Sequence, residues 1–248
     1  MGNRVALITG AGRGIGRKIA LTFAKAGYDL VINYNSSHDR AMQVLEEVKA
    51  LGVNAIAVKC DISSDLEIRE MITTILKTFD KVDVLVNNSA VCYDSLFNEK
   101  SAEDFMRTME VNVLGTFQVS KHIGDMMYKN KFGRIINLTS TNGISTYYPM
   151  CIDYDASKAA IISLTHNLAV QFSPYVTVNA VAPGFIATES EVKDMDDEFI
   201  ELETEKIMVK RVGTEEDVAN LVEFLASDKA SFINNEVIRI DGGIYGNV

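Results

Sequence analysis

Short apolar runs and longer amphipathic stretches alternate along the whole chain. Seven runs are almost continuously apolar, as is typical of strands buried on both faces of a parallel sheet; they cover residues 4–8, 30–33, 55–59, 82–86, 134–138, 176–181 and 237–240. Helical periodicity covers residues 17–26, 39–51, 66–79, 102–128, 157–172 and 215–226. This alternation predicts a single α/β domain over residues 1–248, in which a doubly wound, seven-stranded parallel sheet carries helices on both faces.

Composition narrows the class of protein. A chain of 248 residues, 47% of them hydrophobic, is long enough for one sizeable core. The net charge of −10 and the lack of a Lys/Arg-rich run argue against a nucleic-acid partner. No apolar run is long enough for a signal peptide or a membrane span, so we expect a cytoplasmic protein. Cys60, Cys92 and Cys151 have no paired spacing, which predicts ordinary thiols in a reducing compartment, with neither a disulfide nor a metal site.

A glycine-rich segment follows the first predicted strand. It reads Thr9-Gly10-Ala11-Gly12-Arg13-Gly14-Ile15-Gly16 and leads at once into the first predicted helix. Glycines let the backbone turn tightly and approach a ligand, and the free amides of a helix N-terminus favour a pyrophosphate. A purely structural turn is the alternative. The position between a strand and a helix favours a dinucleotide cradle, formed by Gly10, Arg13, Gly14, Ile15 and Gly16.

The end of the second predicted strand bears on the choice of cofactor. NAD-binding folds commonly place an acidic residue there for the ribose 2′-hydroxyl, whereas this chain has the uncharged Asn35 and Ser36. No carboxylate would repel a 2′-phosphate, and Arg13 can pair with one. We therefore expect NADP(H) to be preferred, with NAD(H) possible. Arg17 or Arg40 could serve in place of Arg13.

Candidate catalytic side chains follow later strands, at the edge where doubly wound sheets bind ligands. Asn112 lies among apolar neighbours in a long helix and needs a hydrogen-bonding partner. Ser140 is one of three neighbouring hydroxyl residues after the fifth strand, any of which could be a turn residue instead. Tyr154 and Lys158 are four residues apart at the start of a helix and share a face. An ammonium beside a phenol lowers the pKa of the phenol, which makes it a usable acid or base.

These motifs, in this order, resemble the short-chain dehydrogenase/reductase family. The resemblance covers nearly the whole chain, from the T-G-x-x-x-G-x-G loop to Pro183-Gly184 with Ile186 and Thr188. The segment Asn87-Asn88-Ser89-Ala90 stands where the family usually has N-N-A-G, and Ala90 fits only if the backbone there does not need a positive φ. The resemblance implies an NAD(P)-binding Rossmann-fold oxidoreductase domain that moves a hydride between nicotinamide and a carbonyl or alcohol carbon.

The resemblance also implies a role for each candidate residue. Ser140 would hold the substrate oxygen, Tyr154 would donate the proton and Lys158 would hold the nicotinamide ribose. Asn112 would support a kinked helix and a proton-relay water. Further cofactor contacts would come from Asp61, Ile62, Asn88, Ile186 and Thr188, in addition to Tyr154, Lys158 and the glycine loop. Relatives are usually tetramers, which implies a homotetramer.

Within the family, the sequence is closest to the bacterial 3-oxoacyl-acyl-carrier-protein reductases. That similarity implies a thioester ketone as substrate and an acyl carrier protein as partner. Three features argue against an acyl carrier protein as partner. Ser173-Pro174-Tyr175 stands where those reductases often have a basic residue, and nine acidic residues lie within residues 189–205. The loop before Tyr154 is also one residue longer than in those reductases and carries Tyr147 and Tyr148. We expect residues 189–210 to cover the substrate as a lid.

Other interpretations remain open at this point. Lys129, Lys131 and Arg134 form a modest basic cluster that could still dock a carrier, or could be an ordinary helix end. The substrate could instead be a free small ketone, steroid or sugar alcohol. A non-catalytic NADP-sensing protein is a candidate from another class, but it would not need Asn112, Ser140, Tyr154 and Lys158 together.

Overall fold

A parallel sheet of seven strands forms the centre of the computed structural model, which describes residues 3–188 and 196–244. The strands along the chain are β1 (Val5–Ile8), β2 (Asp29–Tyr34), β3 (Ala55–Lys59), β4 (Val84–Asn87), β5 (Gly133–Leu138), β6 (Val176–Pro183), β7 (Ile186–Ala187), β8 (Gly213–Thr214) and β9 (Val237–Ile240). The order in the sheet is β3-β2-β1-β4-β5-β6-β9, while β7 and β8 form a separate parallel pair. The predicted doubly wound parallel sheet is confirmed.

Helices cover both faces of this sheet. They are α1 (Gly14–Lys25), α2 (His38–Lys49), α3 (Asp65–Phe79), α4 (Ala102–Met109), α5 (Thr116–Lys129), α6 (Ile152–Phe172), α7 (Asp197–Lys206) and α8 (Glu215–Ala226). A π-helical segment, Glu110–Gly115, joins α4 to α5, so the single helix predicted over residues 102–128 is interrupted. Within the described ranges, no helix is both long and apolar enough to cross a membrane.

The strands divide their side chains between two apolar cores. In β1, Ala6 and Ile8 belong to the core beneath α1, α2 and α8, whereas Val5 and Leu7 face the core beneath α3, α5 and α6. All four side chains are at most 3% exposed. Burial on both faces explains why the strands could be predicted from continuous apolar runs.

The strand order shows at which edge of the sheet a ligand is expected to bind. From β1 the sheet extends through β2 to β3, and the chain then returns to place β4 on the other side of β1. Such a reversal leaves a crevice at the carboxyl ends of β1 and β4, where doubly wound sheets bind ligands. The loops after β1, β4, β5 and β6 therefore converge on one edge.

Three elements, β7, β8 and α7, lie outside the sequence prediction. The two strands have two residues each, too few for a periodic signal. No residue of α7 is buried, so this helix has no apolar stripe from which it could be recognised.

Candidate active site

The glycine loop at the end of β1 has a backbone conformation that lets other groups come close to it. Gly10 has a φ of +63°, a region that side-chain-bearing residues rarely adopt. At Gly16 an added Cβ would lie 2.6 Å from the carbonyl oxygen of Gly10, so the helix start could not pack there with a larger residue. Arg13, just before α1, makes no side-chain hydrogen bond to the helix N-terminus. Gly14, Ile15 and Gly16, the first residues of α1, line the crevice, where the N-terminus of a helix would stabilise an anion.

Two polar residues hold this loop against β4. The hydroxyl oxygen of Thr9 accepts hydrogen bonds from the backbone N–H groups of Asn88, at 2.9 Å, and Ser89, at 3.0 Å. The side-chain amide of Asn88 donates in return to the carbonyl oxygens of Thr9, at 2.9 Å, and Gly10, at 3.2 Å. Thr9, which the sequence analysis did not select as a site residue, is fully buried. Asn88 thus fixes the loop, whether or not it also contacts a ribose.

A groove of about 790 Å³ runs along the glycine loop. Most of the predicted cofactor residues line it: Gly10, Arg13, Gly14, Ile15, Gly16, Asn35, Ser36, Asp61, Ile62, Asn88, Tyr154 and Thr188. Arg17 is paired with Glu47 at 2.8 Å, which leaves the exposed Arg13 better placed to meet a 2′-phosphate. Ala90 is absent from the positive-φ residues found in the described part of the chain, so its side chain is tolerated here.

Asp61 lines the same groove, and both of its carboxylate oxygens already accept hydrogen bonds from the protein. One carboxylate oxygen accepts hydrogen bonds from the N–H, at 2.9 Å, and the hydroxyl, at 2.7 Å, of Ser63. The other accepts from Arg107 at 3.2 Å. Burial works to raise the pKa of Asp61, but the Ser63 and Arg107 contacts outweigh it and lower the pKa below its usual value. Arg107, which also lines the groove, was missed in the sequence because its partner lies on a distant loop.

A smaller cavity of about 230 Å³ continues from this groove. Ser140, Tyr154 and Lys158 all line it, together with Ile186 from the segment after β6. The two cavities share Ile15, Asn88, Ala90, Tyr154 and Thr188 along their boundary. The predicted cofactor loop and three of the four predicted catalytic residues therefore face one continuous space.

Lys158 is held rigidly at the floor of the smaller cavity. Its ammonium donates to the carbonyl oxygen of Leu138 at 2.8 Å and lies 5.3 Å from the centre of the Tyr154 ring. The hydroxyl of Thr139 binds the carbonyl oxygen of Lys158 at 2.7 Å. Burial lowers the pKa of the Lys158 ammonium to about 8 because the charged form loses its hydration. Lys158 can therefore change its charge near neutral pH.

Ser140 lies where β5 ends and the next turn begins. Its hydroxyl oxygen accepts a hydrogen bond from the N–H of Asn142 at 3.1 Å. An accepting hydroxyl keeps its own proton for donation to a ligand. The side chain of Asn142 in turn donates to Asp155 at 2.7 Å, next to Tyr154 in the sequence. The turn after β5 and the start of α6 are thus held together around the cavity.

Asn112 lies within the π-helical segment Glu110–Gly115 and is buried. Its side-chain oxygen accepts from the N–H of Val91 at 2.8 Å, and its amide donates to the carbonyl oxygen of Val91 and the hydroxyl of Ser157, each at 3.0 Å. Single π turns inside helices often occur at functional sites. Asn112 joins the loop after β4 to the turn of α6 between Tyr154 and Lys158, and it does not itself line the described cavities.

A buried ion pair stands directly before Tyr154. The ammonium of Lys100 lies 3.0 Å from one oxygen of Asp153, and these side chains are 5% and 0% exposed. Thr108 donates its hydroxyl proton to the other oxygen at 2.6 Å. Burial works to raise the pKa of Asp153, but Thr108 and Lys100 outweigh it and the pKa is lowered. The pair connects the loop before α4 to the first turn of α6.

Replacing one partner of this pair should be costly. We expect Lys100→Met to lower the free energy of unfolding by about 3–5 kcal/mol, because Asp153 is left buried without its counter-charge. Urea denaturation followed by circular dichroism measures the change. The double variant Lys100→Met/Asp153→Asn is the matched control and should recover most of the loss. A single variant within about 0.5 kcal/mol of the parent would show that the pair is not buried as described.

The predicted lid is described only in part. Residues 189–195, with Glu189, Glu191 and Asp194, lie outside the described residues. In the remainder, α7 approaches the small cavity, because the ring of Phe199 packs edge-to-face on Phe185, a cavity-lining residue, at 6.0 Å. Its five acidic residues are Asp197, Glu198, Glu201, Glu203 and Glu205.

The basic cluster proposed for carrier docking lies elsewhere in this chain. Lys129 ends α5, and Arg134 is the second residue of β5, at the amino end of the sheet rather than the carboxyl end that holds the cavity. Arg134 is buried and its guanidinium stacks 4.9 Å from the ring centre of Phe132. The cluster is therefore not beside the mouth of the cavity in the same chain.

Cys92 and Cys151 are bonded to each other, which corrects the expectation of three unpaired thiols. The two residues are 59 positions apart, and only the meeting of the loop after β4 with the loop before α6 brings them together. Sequence spacing could not reveal this pairing. Cys60 keeps a buried thiol, whose pKa burial raises to about 12.

Comparison with known proteins agrees with this architecture. Residues 10–245 match the family model described as "Enoyl-(Acyl carrier protein) reductase". The 3-oxoacyl-[acyl-carrier-protein] reductase FabG of Staphylococcus epidermidis is 40% identical over 98% of this chain and 99% of its own length. The 3-oxoacyl-[acyl-carrier-protein] reductase of Synechocystis sp. is 40% identical over 97% of this chain and 96% of its own.

A solved structure shares the fold as well. The gluconate 5-dehydrogenase from Burkholderia cenocepacia, in complex with NADP and tartrate, matches with a TM-score of 0.90 at 28% identity, over 98% of this chain and 95% of that one. The chain belongs to the short-chain dehydrogenase/reductase family, as its motifs indicated. It is an NAD(P)(H)-dependent oxidoreductase that acts on CH–OH and C=O groups.

Proposed function

We propose that the protein reduces the ketone of 3-oxoacyl thioesters with NADPH, with Tyr154 as the proton donor. The observation that carries this proposal is the single cavity lined by Ser140, Tyr154 and Lys158, which continues into the glycine-loop groove. The substrate class is supported by the 40% identity to FabG over almost the whole chain.

The residues that line the groove are suited to bind a dinucleotide. Glycine is needed at positions 10 and 16, where a Cβ would collide with Ser89 or Asn88, and the first residues of α1 line the groove, where a helix N-terminus stabilises an anion. NADP(H) is favoured because Asn35 and Ser36 are uncharged and Arg13 is exposed beside them, and because the gluconate 5-dehydrogenase of this fold binds NADP. When bound, NADPH supplies the hydride.

The residues of the small cavity bind the substrate oxygen and supply the proton that the reduction requires. Ser140 donates a hydrogen bond to the substrate oxygen, where negative charge builds during reduction. Tyr154 passes its phenolic proton to the same oxygen. The ammonium of Lys158, 5.3 Å from the Tyr154 ring centre, stabilises the phenolate that remains. Asn112 holds α6 in place against the loop that follows β4, through its hydrogen bonds to Val91 and Ser157.

A charge placed at Ser36 tests the choice of cofactor. We expect Ser36→Asp to weaken NADPH binding by about 10²-fold, because a carboxylate would face the 2′-phosphate, while NADH binding changes less than about threefold. Titration of the protein with each cofactor, followed by nicotinamide fluorescence, measures both dissociation constants. Ser36→Asn is the neutral control. Tighter binding of NADH than of NADPH by the parent protein would contradict the proposed preference.

A second candidate substrate is a free, uncharged ketone. The five acidic residues of α7, next to the cavity wall at Phe185, favour it, because like charges disfavour docking of an acidic carrier protein. Oxidoreductases of free small molecules occur on the same fold, as the gluconate 5-dehydrogenase illustrates. The acyl carrier protein is therefore a weaker part of the proposal than the thioester ketone.

A substrate panel separates the two candidates. NADPH oxidation is followed with acetoacetyl groups on acyl carrier protein and on a small thiol, beside free ketones of similar size. We expect the thioesters to give the highest kcat/KM. Clear turnover of free ketones without turnover of thioesters would replace the first candidate with the second. One domain over residues 1–248, a lid at residues 189–210, a homotetramer and a cytoplasmic location stay predictions.

A further inference from the structure

The disulfide joins the two loops that flank the candidate active site. Cys92 follows β4 and lines the groove, whereas Cys151 precedes Tyr154 by three residues. Their Cα atoms are 6.5 Å apart, within the usual range for a disulfide. Cys92 is exposed and Cys151 is fully buried. One sulfur of the pair is thus open to reagents in solution, while the other lies directly behind it.

Other contacts hold the same two loops together. Asp94 lies with one oxygen 2.8 Å from the sulfur of Cys151, and its other oxygen accepts from the Tyr148 hydroxyl at 3.0 Å. The N–H of Ser95 donates to the carbonyl oxygen of Met150 at 3.0 Å. The Tyr148 and Ser95 hydrogen bonds do not involve the sulfur atoms, so they can keep the two cysteines close when the disulfide is open. The disulfide can then form and break without a large rearrangement.

Both loops are hydrogen-bonded to residues that adjoin or position the candidate catalytic side chains. Val91, next to Cys92, is held on both its N–H and its carbonyl by Asn112. Tyr148 is tied through its N–H to Asp155, at 3.0 Å, on the other side of Tyr154. A bond between Cys92 and Cys151 therefore fixes the distance between two walls of the site.

We propose that Cys92 and Cys151 form a thiol–disulfide exchange site for low-molecular-weight disulfides such as oxidised glutathione, and that oxidation restricts entry of the substrate. The second part rests on the proposed function. Neither cysteine lines the cavity at Ser140, so the bond acts on substrate entry through the two loops that it joins. A 3-oxoacyl thioester that enters between these loops pushes them apart, and the bond opposes that movement.

The exchange balances with glutathione alone. The exposed Cys92, as thiolate, attacks one sulfur of oxidised glutathione, which forms a mixed disulfide and releases one glutathione thiolate. The sulfur of Cys151 then attacks Cys92, which closes the protein disulfide and releases the second glutathione. Two protein thiols are oxidised, one glutathione disulfide is reduced, and the two thiol protons end on the two glutathione molecules. Excess reduced glutathione reverses both steps.

Thiol counting tests the site without any assay of activity. Purified protein is incubated with reduced or oxidised glutathione, quenched with acid, alkylated under denaturing conditions that expose Cys60, and analysed by mass spectrometry. We expect three alkylated cysteines after reduction and only Cys60 after oxidation, with a Cys92–Cys151 crosslinked peptide that disappears on re-reduction. Closing a loop between residues that are 59 positions apart should also raise the Tm of the oxidised protein reversibly by about 5–10 °C.

Variants make the result specific. Cys92→Ser should lose the crosslink and the reversible Tm shift, whereas Cys60→Ala, the matched control, should keep both. A stable glutathione adduct on Cys92 without a crosslink would overturn the proposal. So would protection of Cys92 and Cys151 from alkylation by Zn²⁺ alone with no disulfide after oxidation, which would make the cluster with Asp94 a metal site.

Kinetics test the effect on substrate entry. Oxidation should raise the KM for an acetoacetyl thioester by about fivefold or more, while the Kd of NADPH changes less than about twofold. Cys151→Ala, at a residue that lines neither described cavity, should show the same KM under both conditions. An equal KM in both redox states would overturn the claim about entry. If the protein reduces no thioester, the proposed function fails, and thiol counting still decides whether the exchange site exists.

Discussion

Tyr154→Phe should reduce the kcat of ketone reduction by about 10³-fold or more, because the variant has no proton to give to the substrate oxygen. Positioned general acids contribute about 10²–10⁴-fold, and the ring of phenylalanine fills the same place in the cavity. The phenol is the acidic group brought together with Ser140 and Lys158 in the small cavity. The measurement is the steady-state rate of NADPH oxidation with the best substrate of the panel.

Binding separates a chemical defect from a structural one. The Kd of NADPH should stay within about threefold in Tyr154→Phe, because only one hydroxyl is removed. Tyr148→Phe is the matched control: Tyr148 is nearby in sequence, its hydroxyl meets Asp94, and the change should leave kcat close to that of the parent. Retained turnover in Tyr154→Phe would mean that another group donates the proton.

Lys158→Met should lower kcat/KM for NADPH by about 10²–10³-fold, the usual cost of losing one preorganised donor near developing charge. The ammonium is buried, bonded to the carbonyl oxygen of Leu138 and close to Tyr154, so water cannot replace it easily. Methionine keeps the length and the apolar stem of the side chain. The variant is compared with the parent in steady-state kinetics and in thermal unfolding.

The pH dependence of kcat/KM for NADPH in the parent protein also tests the role of Lys158. The lowered pKa of about 8 means that Lys158 is charged below pH 8 and neutral above it. If the charged form is the active one, kcat/KM for NADPH should fall as pH rises through 8, since this parameter reports groups of the free enzyme. Lys158→Arg keeps its charge at high pH, so its lower activity should stay level over that range. A parent profile that stays level from pH 7 to 10 would contradict the role of the ammonium.

The sheet could be predicted because its residues obey one local rule. Strands β3 and β9 have the predicted bounds, because each is a short run dominated by apolar residues, although β9 is only half-buried. The ends of other strands differ by a residue or two, because hydrogen bonding with a neighbour, not hydrophobicity, decides where a strand stops. Part of the candidate site was predictable for a related reason, since the glycine loop, Asn88 and Ser140 directly follow strands whose carboxyl ends meet at one edge. Asn112, Tyr154 and Lys158 lie on helical segments, and their roles came from the family resemblance.

The remaining features depend on contacts between distant parts of the chain. Nothing near Lys100 in the sequence points to Asp153, and nothing near Cys92 points to Cys151, because each pair meets only after α4 and α6 pack together. The same holds for Arg107, whose partner Asp61 follows β3. Long-range pairs of this kind leave no periodic signal in a single sequence.

Transfer of deuterium from the cofactor to the product tests whether the protein reduces a thioester ketone by hydride transfer. The protein is incubated with NADPH carrying deuterium in the transferred position of C4, and with an acetoacetyl thioester, and the product is analysed by mass spectrometry. We expect a 3-hydroxybutyryl thioester with one deuterium on the carbinol carbon, formed by the parent and almost absent with Tyr154→Phe. Oxidation of NADPH without deuterium on that carbon, or equal product from the Tyr154→Phe variant, would contradict this expectation.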